Sequence, residues 1–367
     1  MDVFFGWILI PTYSGDRYTQ IGCCREQRIM KPLRTFSYKV FFSASLLYLI
    51  GSGASFSQDT TAYKYALGFT SDNDAYVTFE NRDRYYTFGA GIFFALRPER
   101  FLGLEKQFSK KEDYFFRFRI QSEGYTPTKK VVTAREVEQD SIFFDRPFAG
   151  LFYGALEGTY AFERSFLKAE VLLGIMGPSA LTREMQDWIH ENITGDGIFD
   201  GWDYQVPDQM IFNISLSGAY DLLPDIRGFD VFAMGTARVG NLHIDATPLL
   251  GVRLGKFGPL PRSSAFGNSL IASMGQKEIY LKSTISATFT AFNGTAQGNL
   301  FRGDFEYAVE DLNRFHLGMT HGIYVSGKRY ALGYDHFFNF GKVVKDTRHI
   351  FEGLTSCTAF DRQPAFL

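Results

Sequence analysis

The sequence predicts an all-β fold: a twelve-stranded antiparallel transmembrane β-barrel with one short helix near its outer mouth. Three observations carry this. Apolar and polar residues alternate with period two along a dozen segments, the pattern of strands with one apolar face. Aromatic residues make up 17% of the 367 residues, with 39 Phe and 20 Tyr, and on the strands they collect on the apolar face, as lipid-facing residues do. After residue 57 no run of 18 consecutive apolar residues occurs, so helices are not expected to cross the membrane.

The chain begins with residues 1–29, which look like neither a leader nor a domain and read as an upstream extension, with translation starting at Met30. From Met30 a secretory signal peptide is expected over 30–57. Lys31, Arg34 and Lys39 are its basic region, Val40–Ile50 its apolar stretch, and Ser55-Phe56-Ser57 its small-residue cleavage site before Gln58. The barrel domain is expected over 58–367.

The strands are expected at 62–72, 84–96, 112–122, 147–161, 166–176, 209–221, 228–238, 246–256, 277–297, 313–325, 328–340 and 347–360. An even number suits a bacterial single-chain barrel. In 84–96, Tyr86, Phe88, Ala90, Ile92 and Phe94 share one face, and Tyr85, Thr87, Gly89 and Gly91 the other. In 167–175 the odd positions are all apolar, while Lys168 and Glu170 point the opposite way. Residues 301–312 read as a polar loop, and Ser326-Gly327 as a hairpin turn. The competing fold is a soluble β-sandwich, disfavoured by the leader and by outward aromatics on so many strands.

One stretch departs from period two. ALTREMQDWIHENI (180–193) reads as a helix, with Ser179 as its cap and Gly195 as its stop. Leu181, Met185, Trp188, Ile189 and Asn192 lie on one side; Arg183, Gln186, Asp187 and His190 lie on the other. Such a helix must plug the lumen or build a site at the mouth.

Charge narrows the function. Lys plus Arg number 38 against 40 Asp plus Glu, a net charge of -2, so no basic surplus exists to neutralise nucleic-acid phosphates. Cys23 and Cys24 precede the expected mature start and leave Cys357 alone, which excludes an intramolecular disulfide framework. No Cys/His cluster suggests zinc, and no GxSxG elbow suggests a serine nucleophile. An activated water fits better.

Two constellations could carry chemistry. Ser71-Asp72-Asn73-Asp74, with Thr87 on the next strand, gathers the carboxylate, amide and hydroxyl types that suit a hard cation such as calcium; an ordinary polar turn is the plainer reading. His190 is followed by Asp196 beyond the Gly195 stop. A histidine with one ring nitrogen held is a good general base near neutral pH, although a lone helical histidine is more often a surface residue. Asp145-Arg146-Pro147 reads as a structural strand entry, and Lys129 and Lys130 as phosphate contacts or a solvated basic loop.

In order, SDNDAY (71–76), DRYYTFGAGI (83–92), FDRPFAGLFYG (144–154), GPSALTREMQDWIH (177–190), GDGIFDGW (195–202) and VGNL (239–242) resemble the lipid A 3′-O-deacylase (LpxR) family of Gram-negative outer membranes, over about residues 62–360. The resemblance implies an integral outer-membrane barrel of twelve strands, with its site between the barrel wall and a short helix. It implies Ca2+ dependence and hydrolysis of the ester-linked 3′-acyloxyacyl chain of lipid A, so the expected partners are lipopolysaccharide and outer-membrane lipids, with the chain a monomer. Carried over residue by residue, Asn73 and Asp74 match the family's Asn-Asp pair, Thr87 its strand-two hydroxyl, and His190 its base. Asp196 matches its acid six residues on, where the family often carries the longer glutamate. Asp74, Thr87 and Asp196 are the expected calcium ligands. The family's substrate-binding lysine corresponds to Lys129 or Lys130. The alternatives are an outer-membrane phospholipase and a non-catalytic barrel or pore.

Overall fold

The computed structural model describes residues 63–73, 85–195, 197–223, 228–268, 270, 277–303, 305–327, 329–343 and 348–361. The leader and start-site expectations, and two of the expected site residues, Asp74 and Asp196, lie outside the described residues.

Twelve strands form one closed antiparallel barrel. They are β1 (Tyr65–Asn73), β2 (Phe88–Leu96), β3 (Asp113–Tyr125), β4 (Ala149–Ala161), β5 (Ser165–Met176), β6 (Gln209–Asp221), β7 (Phe229–Gly240), β8 (His243–Lys256), β9 (Glu278–Asn293), β10 (Phe315–Ser326), β11 (Tyr330–Phe340) and β12 (Arg348–Phe360). Each pairs with its neighbour in sequence, and β1 closes the ring against β12 with Tyr65 opposite Phe360. All twelve predicted strands are present. Their lengths reach what a tilted strand needs to cross a bilayer.

Most strand limits fall within three residues of those expected; the second and ninth strands are cut back by four at one end, each for a local reason. The second starts at Phe88 because Tyr85 adopts a left-handed backbone (φ 64°) that breaks the ladder. The ninth ends at Asn293, whose side chain accepts from the amide and hydroxyl of Thr295 at 3.2 and 2.8 Å and starts a single helical turn, Gly294–Gln297. β8 begins earlier than expected, at His243. There Asn213 Oδ1 accepts from the amides of Leu242 and His243 at 3.1 and 2.9 Å and locks the two-residue turn of the VGNL segment.

Alternation sorts the side chains. Leu67, Ile92, Ile120, Phe152, Leu173, Phe212 and Ile285 are exposed on the outer face and form the apolar belt. The inner positions carry charge, and burying a charge is tolerated only when it is paired. Arg119 meets Glu170 at 2.7 Å and Lys168 meets Glu157 at 3.2 Å. Arg238 meets Asp245 at 2.9 Å, and Arg253 pairs with Asp230. Glu123 accepts from the hydroxyls of Tyr125 and Tyr153 at 2.8 and 2.6 Å.

The lumen is stoppered at both ends. An even strand number brings the two termini of the barrel to one end. There the β8–β9 connection folds inward. Lys168 donates to Phe266 O at 2.7 Å, Arg117 donates to Gly267 O, and Leu260 and Leu270 are fully buried. At the opposite end Tyr86, Tyr125, Leu151, Tyr153, Met176, Val206, Ile211 and Leu242 form one buried cluster across the mouth. Connections 126–148, 177–208 and 294–314 gather at this mouth; long connections are the outer ones in such barrels. In planar bilayers the intact protein should therefore give no steady conductance, and deleting 259–268 should open one. A large steady conductance from the intact chain would contradict a filled lumen.

Candidate active site

The site is built from the outer wall of the barrel upward. Gly150 shares the outward face of β4 with the exposed Phe152. A Cβ placed on it would lie 2.6 Å from Thr182 Cβ, so only glycine leaves room there. Thr182 opens the site helix. The short helix Ala134–Glu138 of the preceding connection is α1, and Thr182–Ile189 is α2. α2 therefore lies outside the wall, packed against β3 and β4. The expected helix exists, but it does not enter the lumen.

Its start differs from the expectation. The first helical residue is Thr182, preceded by Leu181 in a left-handed conformation with no side-chain cap. Ser179 does not cap it: its amide and hydroxyl both donate to Asp208, at 2.8 and 2.7 Å, and tie the loop to the foot of β6. The stop is as expected. α2 continues as one wider turn in which the amide of Gly195 donates to His190 O at 2.7 Å, and Gly195 is left-handed (φ 77°). Wider turns of this kind recur at functional sites.

The polar side of α2 faces the wall. Thr182, Gln186 and His190 are buried, while Leu181 and Trp188 are exposed. Gln186 Oε1 accepts from Trp202 Nε1 at 2.6 Å. Trp202 is fully buried and packs against Phe148, the rings tilted by 54° with centroids 5.1 Å apart. The segment carrying Trp202 is held to the 126–148 connection: Gly201 N donates to Lys130 O at 3.1 Å, and Val132 N donates to Asp200 Oδ1 at 2.9 Å.

His190 is 8% exposed. Its Nδ1 lies 2.9 Å from Gly197 O. A carbonyl only accepts, so Nδ1 carries the proton and Nε2 keeps its lone pair. Phe199 packs edge-on against the ring with centroids 5.0 Å apart, fixing its plane. The ring is thus oriented by a backbone carbonyl. Asp187, one turn earlier, is an acid that sequence reasoning placed on the His190 side without giving it a role. Burial raises its carboxyl above the usual range, with Arg183 and His190 pulling the other way. Arg183 bridges Asp187, at 3.7 Å, and Asp203. The i, i+3 spacing of Asp187 and His190 was the signal for it.

Two other expected residues meet at adjoining strand ends. Asn73, the last residue of β1, lies opposite Phe88, and Thr87 immediately precedes Phe88. Thr87 is buried. Its hydroxyl lies 2.6 Å from that of Thr126, just past β3, and its amide donates to Gly124 O at 2.9 Å. β3, which Thr126 follows, is also one of the strands that α2 packs against. The paired hydroxyls are hard neutral oxygens of the type calcium takes. The residues present fit a calcium ion in donor type, with the carboxylates to come from Asp74 and Asp196. Among the described residues no group of three His, Cys, Asp or Glu could hold a metal.

The Asp145-Arg146 pair holds this corner together. Asp145 accepts from the Tyr85 hydroxyl at 2.8 Å and from Thr128 N and Oγ1 at 2.9 and 2.7 Å. Arg146 donates to Tyr85 O at 3.0 Å and Thr295 O at 2.7 Å and lies 4.8 Å from the Tyr125 ring centroid. Burial draws its guanidinium down to about 10, so it stays charged at neutral pH. Together they hold the left-handed Tyr85 that delivers Thr87. The two lysines separate. Lys129 pairs with Glu136 of α1, whereas Lys130 Nζ lies 4.9 Å from the ring of Phe199, the ring against His190.

Gly150→Val should lift α2 from the wall. Overpacking costs about 1–3 kcal/mol, enough to raise proteolysis within 178–205 by about tenfold at unchanged strand content. Unchanged cleavage would contradict the contact with Thr182.

The model of a family described as outer membrane protein LpxR matches residues 40–355 of the chain. Among solved structures, LpxR from Salmonella typhimurium superposes with a TM-score of 0.62 at 18% identity, covering 80% of this chain and 100% of that one; this likeness is one of fold. The β domain of the Bordetella autotransporter BrkA (TM-score 0.42, 9% identity, 82% of this chain and 99% of that one) and the translocator domain of NalP from Neisseria meningitidis (TM-score 0.40, 8% identity, 89% and 97%) resemble it more distantly. No curated protein matches the chain. The family match spans most of the sequence, and the closed twelve-stranded barrel agrees with it: the chain belongs to the LpxR family of integral outer-membrane β-barrel proteins.

Proposed function

We propose that the protein hydrolyses the ester-linked 3′-acyloxyacyl chain of lipid A, with His190 as general base. The observation that carries this reading is the state of His190. Its Nδ1–H is spent on Gly197 O at 2.9 Å, its ring is held by Phe199, and Nε2 is the basic atom, on the lipid side of a sealed barrel. Family membership and the resemblance of the motif series support lipid A as the substrate.

In the proposed reaction Nε2 takes a proton from water as the oxygen attacks the ester carbonyl carbon. The imidazolium, favoured by the nearby Asp187 carboxylate, then returns the proton to the sugar oxygen as the C–O bond breaks. The products are a fatty acid and a free 3′-hydroxyl. The Gly197 carbonyl keeps the tautomer through the cycle. Asp74, Thr87 and Asp196 would hold calcium, with the Asn73 amide beside them. A bound calcium ion supplies positive charge to stabilise the developing oxyanion. The ion pairs and aromatic side chains that occupy the lumen weigh against an open pore.

Mass spectrometry of lipid A from Gram-negative cells expressing the protein should show loss of the 3′-acyloxyacyl mass. His190→Ala should cut turnover by ~10²–10⁴-fold, the usual contribution of a general base, with the barrel still folded. Chelation should abolish activity, and calcium but not magnesium alone should restore it. Full activity of His190→Ala, or cleavage of glycerophospholipid with lipid A untouched, would overturn the reading.

Lys130 is proposed as the cation for the anionic sugar headgroup, because its ammonium lies beside Phe199, the ring packed against His190. A lost charged contact is worth about 1.5–3 kcal/mol. Lys130→Ala should therefore raise KM by ten-fold or more with kcat less affected, and Lys129→Ala should do neither. Equal effects of the two substitutions would remove the distinction.

A further inference from the structure

The outward side of α2 carries an apolar patch among the exposed Glu184, Glu191 and Asn192. Leu181 is 62% exposed and Trp188 58%, and Ile198 in the following loop is 52% exposed. Met185 and Ile189 flank them, partly buried. Helical spacing puts Leu181, Met185, Trp188 and Ile189 in one sector together with the exposed Asn192, with Glu184 and Glu191 along one edge and the wall-facing Thr182, Gln186 and His190 beyond Ile189 along the other. A helix in water would turn this sector inward; here the inward side is the polar one.

The sector continues the surface that touches lipid. Phe152 of β4, Ile175 of β5 and Met210 of β6 stand in one register row on the outer face, Phe152 and Met210 strongly exposed. The chain leaves β5 one residue past Ile175 and returns to β6 one residue before Met210, so the α2 segment departs from the top of the apolar belt. Trp and Leu beside a polar rim suit a helix lying in the membrane interface, where Trp is enriched.

We infer that α2 is an interfacial anchor: Leu181, Trp188 and Ile198 sit among the acyl chains of the outer leaflet, beside the wall of β4–β6. The helix that carries His190 is then held between a protein wall on its polar side and lipid on its apolar side. The inference concerns the helix and the bilayer, and it stands whether or not the chain hydrolyses lipid A.

The test uses the whole protein reconstituted in phosphatidylcholine vesicles, with or without brominated acyl chains. Trp188→Phe isolates the Trp188 emission by difference, leaving the fully buried Trp202 and any other tryptophan in both samples. The Trp188 component is expected at short wavelength, reduced about twofold or more by brominated chains, and little affected by aqueous acrylamide. Strong acrylamide quenching with no bromine effect would place Trp188 in water and overturn the inference. Shielding that ignores bromine but grows with protein concentration would put a second copy there and overturn it too. As a second variant, Leu181→Glu with native Trp188 should restore acrylamide quenching by about twofold; unchanged shielding would also count against the anchor.

Discussion

Inside a bilayer a backbone amide finds no water, and each one left unpaired costs several kcal/mol. A sheet meets this demand only by closing on itself. The pairing of β1 with β12 is therefore the constraint from which the rest follows. Closure fixes an inside and an outside, and alternation then assigns every strand residue to one of them. The outer set must be apolar. The inner set is free to be charged, provided that each charge finds a partner.

The inner set uses that freedom fully. Arg253 with Asp230, Lys168 with Glu157 and Arg119 with Glu170 fill the bore with ion pairs, and the β8–β9 connection and the cluster around Tyr125 and Tyr153 close its ends. Side chains that pair with one another in this way occupy the bore among the described residues. The polar residues left for chemistry lie on the outer wall, where small residues give access. Gly150 lets α2 approach. Asp145 and Arg146 hold Tyr85 in the left-handed turn that brings Thr87 beside Thr126.

Most of the barrel was legible in the sequence because period-two alternation is a direct projection of inside and outside. The limit of β2 was not, because it depends on a tertiary hydrogen bond, the hold of Asp145 on Tyr85, and the limit of β9 was hidden because a local cap, Asn293 accepting from Thr295, interrupts a run whose alternation continues past it. The helix was legible as amphipathic, but amphipathicity names two faces without saying which one meets protein. That choice depends on whether the surrounding medium is water or lipid, and the sequence pattern alone does not say. Of the site, His190, Asn73 and Thr87 were visible as residue types at motif spacing. Gly197 as the partner of His190 was not, because a backbone carbonyl leaves no mark on a sequence. Trp202 stood inside a motif, yet its bond to Gln186 needed the folded loop to appear.

A histidine on the outer wall changes the dimensionality of the encounter. Whatever meets it arrives by sliding within the plane of the membrane, so its rate follows the surface density of lipid around the barrel and is indifferent to the volume of the surrounding fluid. In the proposed hydrolysis, a released acyl chain is already in its own solvent. The rigidity of the barrel then carries no kinetic penalty, and a stiff, ion-paired interior can coexist with rapid exchange at its rim.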